Sequence, residues 1–265
     1  MSKTKKPPYS SPRPAVSEGS RTSLAQELHS LIVGYCLKAN DGDAALYESE
    51  DIEKFLEGLA VARNPNILLE CSANGCSHFF DALHLPFAKD TQCDEDLRVA
   101  KAEVLFDLLV NACYDVMKNG GVQAMEKFGH AYADILIKPN VDNYTLMHEA
   151  LSSKNKGLYD TVVSELRELH EATDGKGHKY ISDAEYAEQF TFKTMNGLTP
   201  LDNAVRSNNP QLIKAFTADL REALSPEAYR DALLKSYQLE KRPLLQRELL
   251  AASGHSHTKP SHPRT

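Results

Sequence analysis

Asn196-Gly197-Leu198-Thr199-Pro200-Leu201-Asp202-Asn203-Ala204 puts a turn, a helix cap and the start of a closely packed helix into one short run. Both Asn196 and Gly197 tolerate positive φ, which suits a tight turn. The Thr199 hydroxyl can accept a hydrogen bond from the open amides of the helix that follows. Pro200 then takes the first helical position, where a missing amide costs nothing and a fixed φ is already right. Leu201 and Val205 stand four apart and share one face, and Ala204 is small enough to let a neighbouring helix come close. Asn208-Asn209-Pro210 ends this short helix and starts another, whose inner stripe is Leu212, Ile213, Phe216 and Leu220.

The same order of residue types recurs at Asp142-Asn143-Tyr144-Thr145-Leu146-Met147-His148-Glu149-Ala150. After Gly157 a second helix follows there too, with Leu158, Tyr159, Val162, Val163, Leu166 and Leu169 spaced for burial. A blurred copy stands at Asn74-Gly75-Cys76-Ser77-His78-Phe79-Phe80-Asp81-Ala82. These segments resemble the ankyrin repeat, whose signature is a turn, the line T-P-L-H-x-A and two antiparallel helices in about 33 residues. Thr199, Pro200, Leu201 and Ala204 carry the line in one copy, with Asp202 in place of the histidine, a change expected to forfeit that histidine's hydrogen bonds. Thr145, His148 and Ala150 carry it in the other, with Leu146 in place of the proline.

The spacing departs from the family. Thr145 and Thr199 lie 54 residues apart, and Ser77 and Thr145 lie 68 apart. The first excess is assigned to an insertion near 173–192, made of the loop Thr173-Asp174-Gly175-Lys176-Gly177 and a capped helix from Ser182 through Phe190. The second interval leaves room for a weak copy at Val104-Leu105-Phe106-Asp107, and Arg242-Pro243-Leu244-Leu245 reads as a terminal cap.

Before the repeats, Ser23 with Gln26 can open a helix whose stripe is Leu24, Leu28, Leu31, Ile32 and Tyr35. A second helix from Asp51 carries Ile52, Phe55, Leu56 and Leu59, giving a helical hairpin over 23–65. Val104 to Val110 belongs to a long apolar helix stopped by Asn119-Gly120-Gly121, after which Val122, Met125, Phe128, Tyr132 and Ile135 make another stripe. Residues 1–22 and 253–265 are polar and proline-broken, the composition of disordered tails. The expected fold is all-α: a short ankyrin-like helical solenoid over 66–252 behind an N-terminal helical hairpin.

A net charge of -7 speaks against attraction to phosphate backbones, so nucleic acid is not an expected partner. No run of about 18 apolar residues predicts a membrane span, and the basic start has no apolar segment behind it to make a secretory signal. Five cysteines, an odd number scattered among apolar residues, read as buried thiols in a reducing, cytoplasmic setting.

Cys71, Cys76, His78 and His84 lack the spacing of a zinc knuckle, and His255, His257 and His262 sit in the flexible tail, so no metal is expected. Cys113 with His130, or Cys93 with His84, are the pairs that thiol chemistry would use, yet nothing in the sequence brings them together. Gly175-Lys176-Gly177-His178-Lys179 follows no strand and reads as a surface insertion. Asp94-Glu95-Asp96 reads as a helix start. No catalytic residue or cofactor is assigned.

The resemblance implies a scaffold that binds a partner protein, with Asn143, Tyr144, Asn196 and Leu198 on the pre-helical turns as contacts and the charged segment 173–190 as a second surface. Tyr144 is the strongest of these if its ring is exposed on the turn, the alternative being that it packs against the adjacent turn. Irregular ankyrin proteins with polar tails also occur among the effectors that intracellular bacteria deliver into host cells. The competing reading is a cysteine-dependent enzyme whose N-terminal helical region carries the chemistry and whose repeats recruit substrate.

Overall fold

The computed structural model describes residues 23–37, 49–61, 65–70, 77–88, 94–119 and 122–252. Both tails and Cys71, Cys76 and Cys93 fall outside these. The described residues form α-helices and two 3-10 turns, with one isolated antiparallel bridge pairing Thr173 with Lys179, and the fold is all-α. None of these helices is long and apolar enough to cross a membrane.

α1 (Ser23–Leu37) and α2 (Glu50–Val61) pack on each other. α1 buries Leu28, Ile32 and Tyr35, and α2 buries Ile52 and Leu56, each stripe at helical spacing. α3 (His78–His84) follows, and then α4 (Glu95–Asn119), the longest helix, which lies against α3 and runs antiparallel into α5 (Val122–Ile137). Asp94 caps α4, its carboxylate accepting from the Leu97 amide at 2.8 Å. Val104 to Asp107 is the interior of this one helix. The repeat copy expected there is absent, because the apolar period runs through it without a turn. Lys101 of α4 is fully buried and donates at 2.8 Å to the Tyr35 carbonyl in the last turn of α1, where the helix dipole favours a cation.

α6 (Leu146–Ser152) and α7 (Lys156–Glu171) form one hairpin, and α9 (Pro200–Ser207) and α10 (Pro210–Ala223) form another, with α8 (Asp183–Thr191) between them. The two hairpins match residue by residue at an offset of 54. Lys154 and Asn208 both turn left-handed, with φ 61° and 57°. Ser153 and Ser207 both donate to a carbonyl three residues back at 2.6 Å. Asn155 and Asn209 both cap the second helix. Leu158, Val162 and Leu166 of one are Leu212, Phe216 and Leu220 of the other, all buried.

The short helices touch in order: α3 on α6, α6 on α9, and α9 on α12 (Tyr237–Glu240). Ala82, Ala150 and Ala204 hold equivalent positions in three of them and are fully buried. A methyl is all that fits where helix backbones approach this closely. α11 (Pro226–Lys235) and α13 (Pro243–Ala252) complete the chain. Arg242 does not open the last unit. Ser236 does, capping α12 through the Leu239 amide at 3.2 Å and binding back to α9, so the terminal unit starts six residues earlier than the proline suggested.

The segment 173–190 is no mere surface insertion. Ile181, Tyr186 and Phe190 are buried, Tyr186 stacks on His170 at 4.4 Å, and Phe190 meets Phe216 at 5.9 Å. Asp183, Glu185 and Glu188 form its outer face, whereas Asp174 is buried.

Candidate interaction surface

Three five-residue turns are built on one plan. In each, the first residue's amide donates to the fifth residue's carbonyl, and the fourth residue's amide donates back to the first residue's carbonyl. The turns are Asn140–Tyr144 (2.8 and 3.0 Å), Asp174–His178 (2.8 and 3.0 Å) and Thr194–Leu198 (2.9 and 2.8 Å). The fourth residue is left-handed in all three: Asn143 at φ 56°, Gly177 at 83° and Gly197 at 73°. Glycine and asparagine accept this conformation at little cost. The first side chain of each turn accepts from the fifth amide: Asn140 from Tyr144, Asp174 from His178 and Thr194 from Leu198.

The second turn was hidden in the sequence because Lys179-Tyr180-Ile181 separates it from its helix cap, Ser182. It lies 34 residues beyond the first. It docks on α5, where Gly129 leaves room for the Tyr180 ring; a β-carbon there would stand 2.6 Å from that ring. The Asp174 carboxylate is held well below the usual range, chiefly by the His178 amide, with the Lys176 amide, His130 and His178 adding to it.

The first and third turns meet. The Met195 amide points at the Asp142 carbonyl at 3.4 Å, which sets Asn143 and Tyr144 beside Asn196 and Leu198. Asn143 and Asn196 are exposed, while Leu198 is half-buried. Of the two readings of Tyr144, an exposed ring and a packed one, the structure shows the packed one. It is half-buried, with its ring 5.3 Å from His148 in its own unit. The apolar groups that do face solvent are Val141 (53% exposed) and Met195 (71%), the second residue of each turn. Aligning the turns two residues earlier would have set Val141 and Met195 at the same position.

Beneath the turns, the caps differ in chemistry. In α6 the neutral imidazole of His148 accepts from the Thr145 amide (3.3 Å) and bonds the Thr145 hydroxyl (2.9 Å). Burial lowers its pKa to about 4, although the Leu198 carbonyl and Asp202 pull the other way. In α9, Asp202 accepts from the Thr199 amide (2.9 Å) and hydroxyl (3.0 Å). Its other oxygen accepts from the Ser236 hydroxyl (2.6 Å) and the Gln238 amide (2.9 Å) of the next unit. The expected loss of hydrogen bonds at Asp202 is therefore reversed. A carboxylate has enough lone pairs to serve two units at once, where a neutral imidazole has one acceptor nitrogen.

A second contact also repeats. The fourth residue after each cap reaches the helix before it: Asp81 to His29 of α1 (3.1 Å), Glu149 to His84 of α3 (2.8 Å) and Asn203 to Ser152 of α6 (3.2 Å). The bond to Glu149 raises the His84 pKa.

Among the described residues Cys36 and Cys113 are buried, and burial, with Glu165 nearby, pushes the Cys113 thiol well above its usual value, which leaves it little reactivity. His130, the base that thiol chemistry at Cys113 would use, instead faces Asp174 at 3.4 Å. Comparison with family models, curated proteins and solved structures gave no significant match for this chain.

Proposed function

We propose that the chain is a protein-binding scaffold of divergent ankyrin type, which engages its partner through the tips of its turns. The observation that carries this reading is the side-by-side placement of two hydrogen-bonded turns that project Val141 and Met195, an arrangement the fold does not need for its own core. The turns are fixed by backbone hydrogen bonds, so a partner meets an already ordered surface and little entropy is lost on binding. Tip residues can also vary without disturbing the buried alanine seam beneath them. Asn143 and Asn196 supply polar contacts around the two apolar groups. The place of action is a reducing cytoplasm, the cell's own or that of a host receiving an effector, in keeping with an odd number of cysteines scattered among apolar residues.

Photo-crosslinking residues placed singly at Val141 and Met195, and at Ser164 and Lys214 on the second helices, test this in extract. Adducts confined to the two tips, and lost when the other tip is changed to aspartate, support the reading. Adducts from Ser164 or Lys214 alone would remove it.

A further inference from the structure

The first helical position after the cap is Leu146 in one unit and Pro200 in the next, both buried and apolar. In α3 the equivalent residue is His78, fully buried. Three residues on, on the same face, is Asp81, 3% exposed, and from α1 comes His29. One ligand atom from each of these three lies within 4.8 Å of the others. His29 Nδ1 and Asp81 Oδ2 are 3.1 Å apart. Two ligands bound tetrahedrally to zinc at about 2.0 Å stand roughly 3.3 Å from each other, so this pair is already at the required separation.

In the other two members of the repeated interhelix contact, Glu149 with His84 and Asn203 with Ser152, the first helical position is apolar. Here alone among the three a second imidazole joins. A buried carboxylate needs a positive partner. A divalent cation held by the same three donor atoms would supply one.

We propose that His29, His78 and Asp81 bind a zinc ion that clamps α1 to α3. Two imidazoles and a carboxylate are a common zinc donor set, and three protein ligands leave one position for water. His29 is about one-quarter exposed, which gives the ion a way in. The clamp ties the N-terminal hairpin to the first short helix of the row, at the end where no earlier unit covers it.

The test uses the full chain with His255, His257 and His262 changed to asparagine, so that the tail cannot contribute, stripped of metal and titrated with zinc against a chromophoric chelator. One zinc is expected per chain, and zinc about 100-fold above its Kd should raise Tm by about 5 °C. His29→Ala should abolish that rise, and Asp81→Asn should weaken binding at least tenfold. Cobalt in place of zinc should give the intense visible absorption of four-coordinate metal without a thiolate charge-transfer band. No zinc retained, zinc retained equally by His29→Ala, or a thiolate band would each overturn the site.

Discussion

The hairpins α6–α7 and α9–α10 share a backbone plan but not its chemistry. One closes its cap with a neutral histidine and turns its loop through a lysine; the other uses a carboxylate and an asparagine. Position for position the fold asks for an acceptor at the third helical residue and a left-handed residue between the helices. It does not ask for a particular side chain. What the choice does decide is reach. His148 caps its own helix through Thr145, whereas Asp202 caps its helix and also holds α12 through Ser236 and Gln238. The difference teaches that a departure from a repeat signature can strengthen the contact to the next unit while leaving the local cap intact.

The sharpest way to break this comparison is Asp202→Ala, which strands four donors in a buried site. Denaturant unfolding should show a loss of about 3–4 kcal/mol, since hydrogen bonds to charged groups are worth about 1.5–3 kcal/mol each and are not additive. Asp202→His, which copies α6, should keep the Thr199 bonds, lose those to α12, and cost less than the alanine. Equal losses would mean that the bonds to α12 contribute nothing.

The pH response comes next in size. The folded pKa of His148 lies below its free value of 6.5, at about 4, so its contribution is complete above pH 6.5 and is lost as pH falls toward 4. That is about 3 kcal/mol. Glu165 acts in the opposite sense. Burial raises it from 4.5 to about 7, so its contribution is complete below pH 4.5 and fades as pH rises through 7. Tyr132 donates to it at 2.8 Å. Stability should therefore be compared in a Glu165→Gln background, with and without His148→Gln. Only the chain retaining His148 should weaken specifically between pH 6.5 and 4; parallel curves would show that His148 is not buried neutral.

Ala204→Leu is expected to cost roughly 1–3 kcal/mol by overpacking the seam between α6 and α9. A neutral result in thermal unfolding would place Ala204 outside a helix contact. The smallest effect should be a gain. Lys154 holds a left-handed φ that its side chain disfavours, so Lys154→Gly should stabilise by about 0.5–1 kcal/mol. Asn208→Gly should change little, as asparagine already accepts that conformation and also receives a bond from Arg242.

Where turn chemistry, cap and apolar stripe fall in one continuous line, as at 196–223 and 142–171, the caps and helix stripes were readable, although the turns begin two residues earlier, at Thr194 and Asn140. It misled where one level of structure stood without the next. Asp174–His178 has the turn but no cap at once behind it, so it passed for a loose loop although Asp174 and Gly177 hold the same positions as Thr194 and Gly197. Val104–Asp107 has the apolar spacing but no turn, and is helix interior. Ser236 caps α12 without a proline after it, and Pro243 drew attention to the wrong start. The surface was less legible still. Exposure at Tyr144 depends on whether its ring turns toward His148, a tertiary fact that no local pattern carries. The approach of His29 to Asp81 and His78 spans more than 45 residues, with nothing in the local sequence to announce it.

That short helices stand side by side with their turns in register is the claim everything else uses, and it can be read directly by NMR in an isotope-labelled chain. The Met195 amide proton should show a nuclear Overhauser contact to the α-protons of Asp142 or Asn143, and the Asn203 side-chain amide should show contacts to His148 and Ser152 in α6. If instead both groups report only on their own sequence neighbours, the two hairpins are not stacked and the account of both fold and surface is wrong.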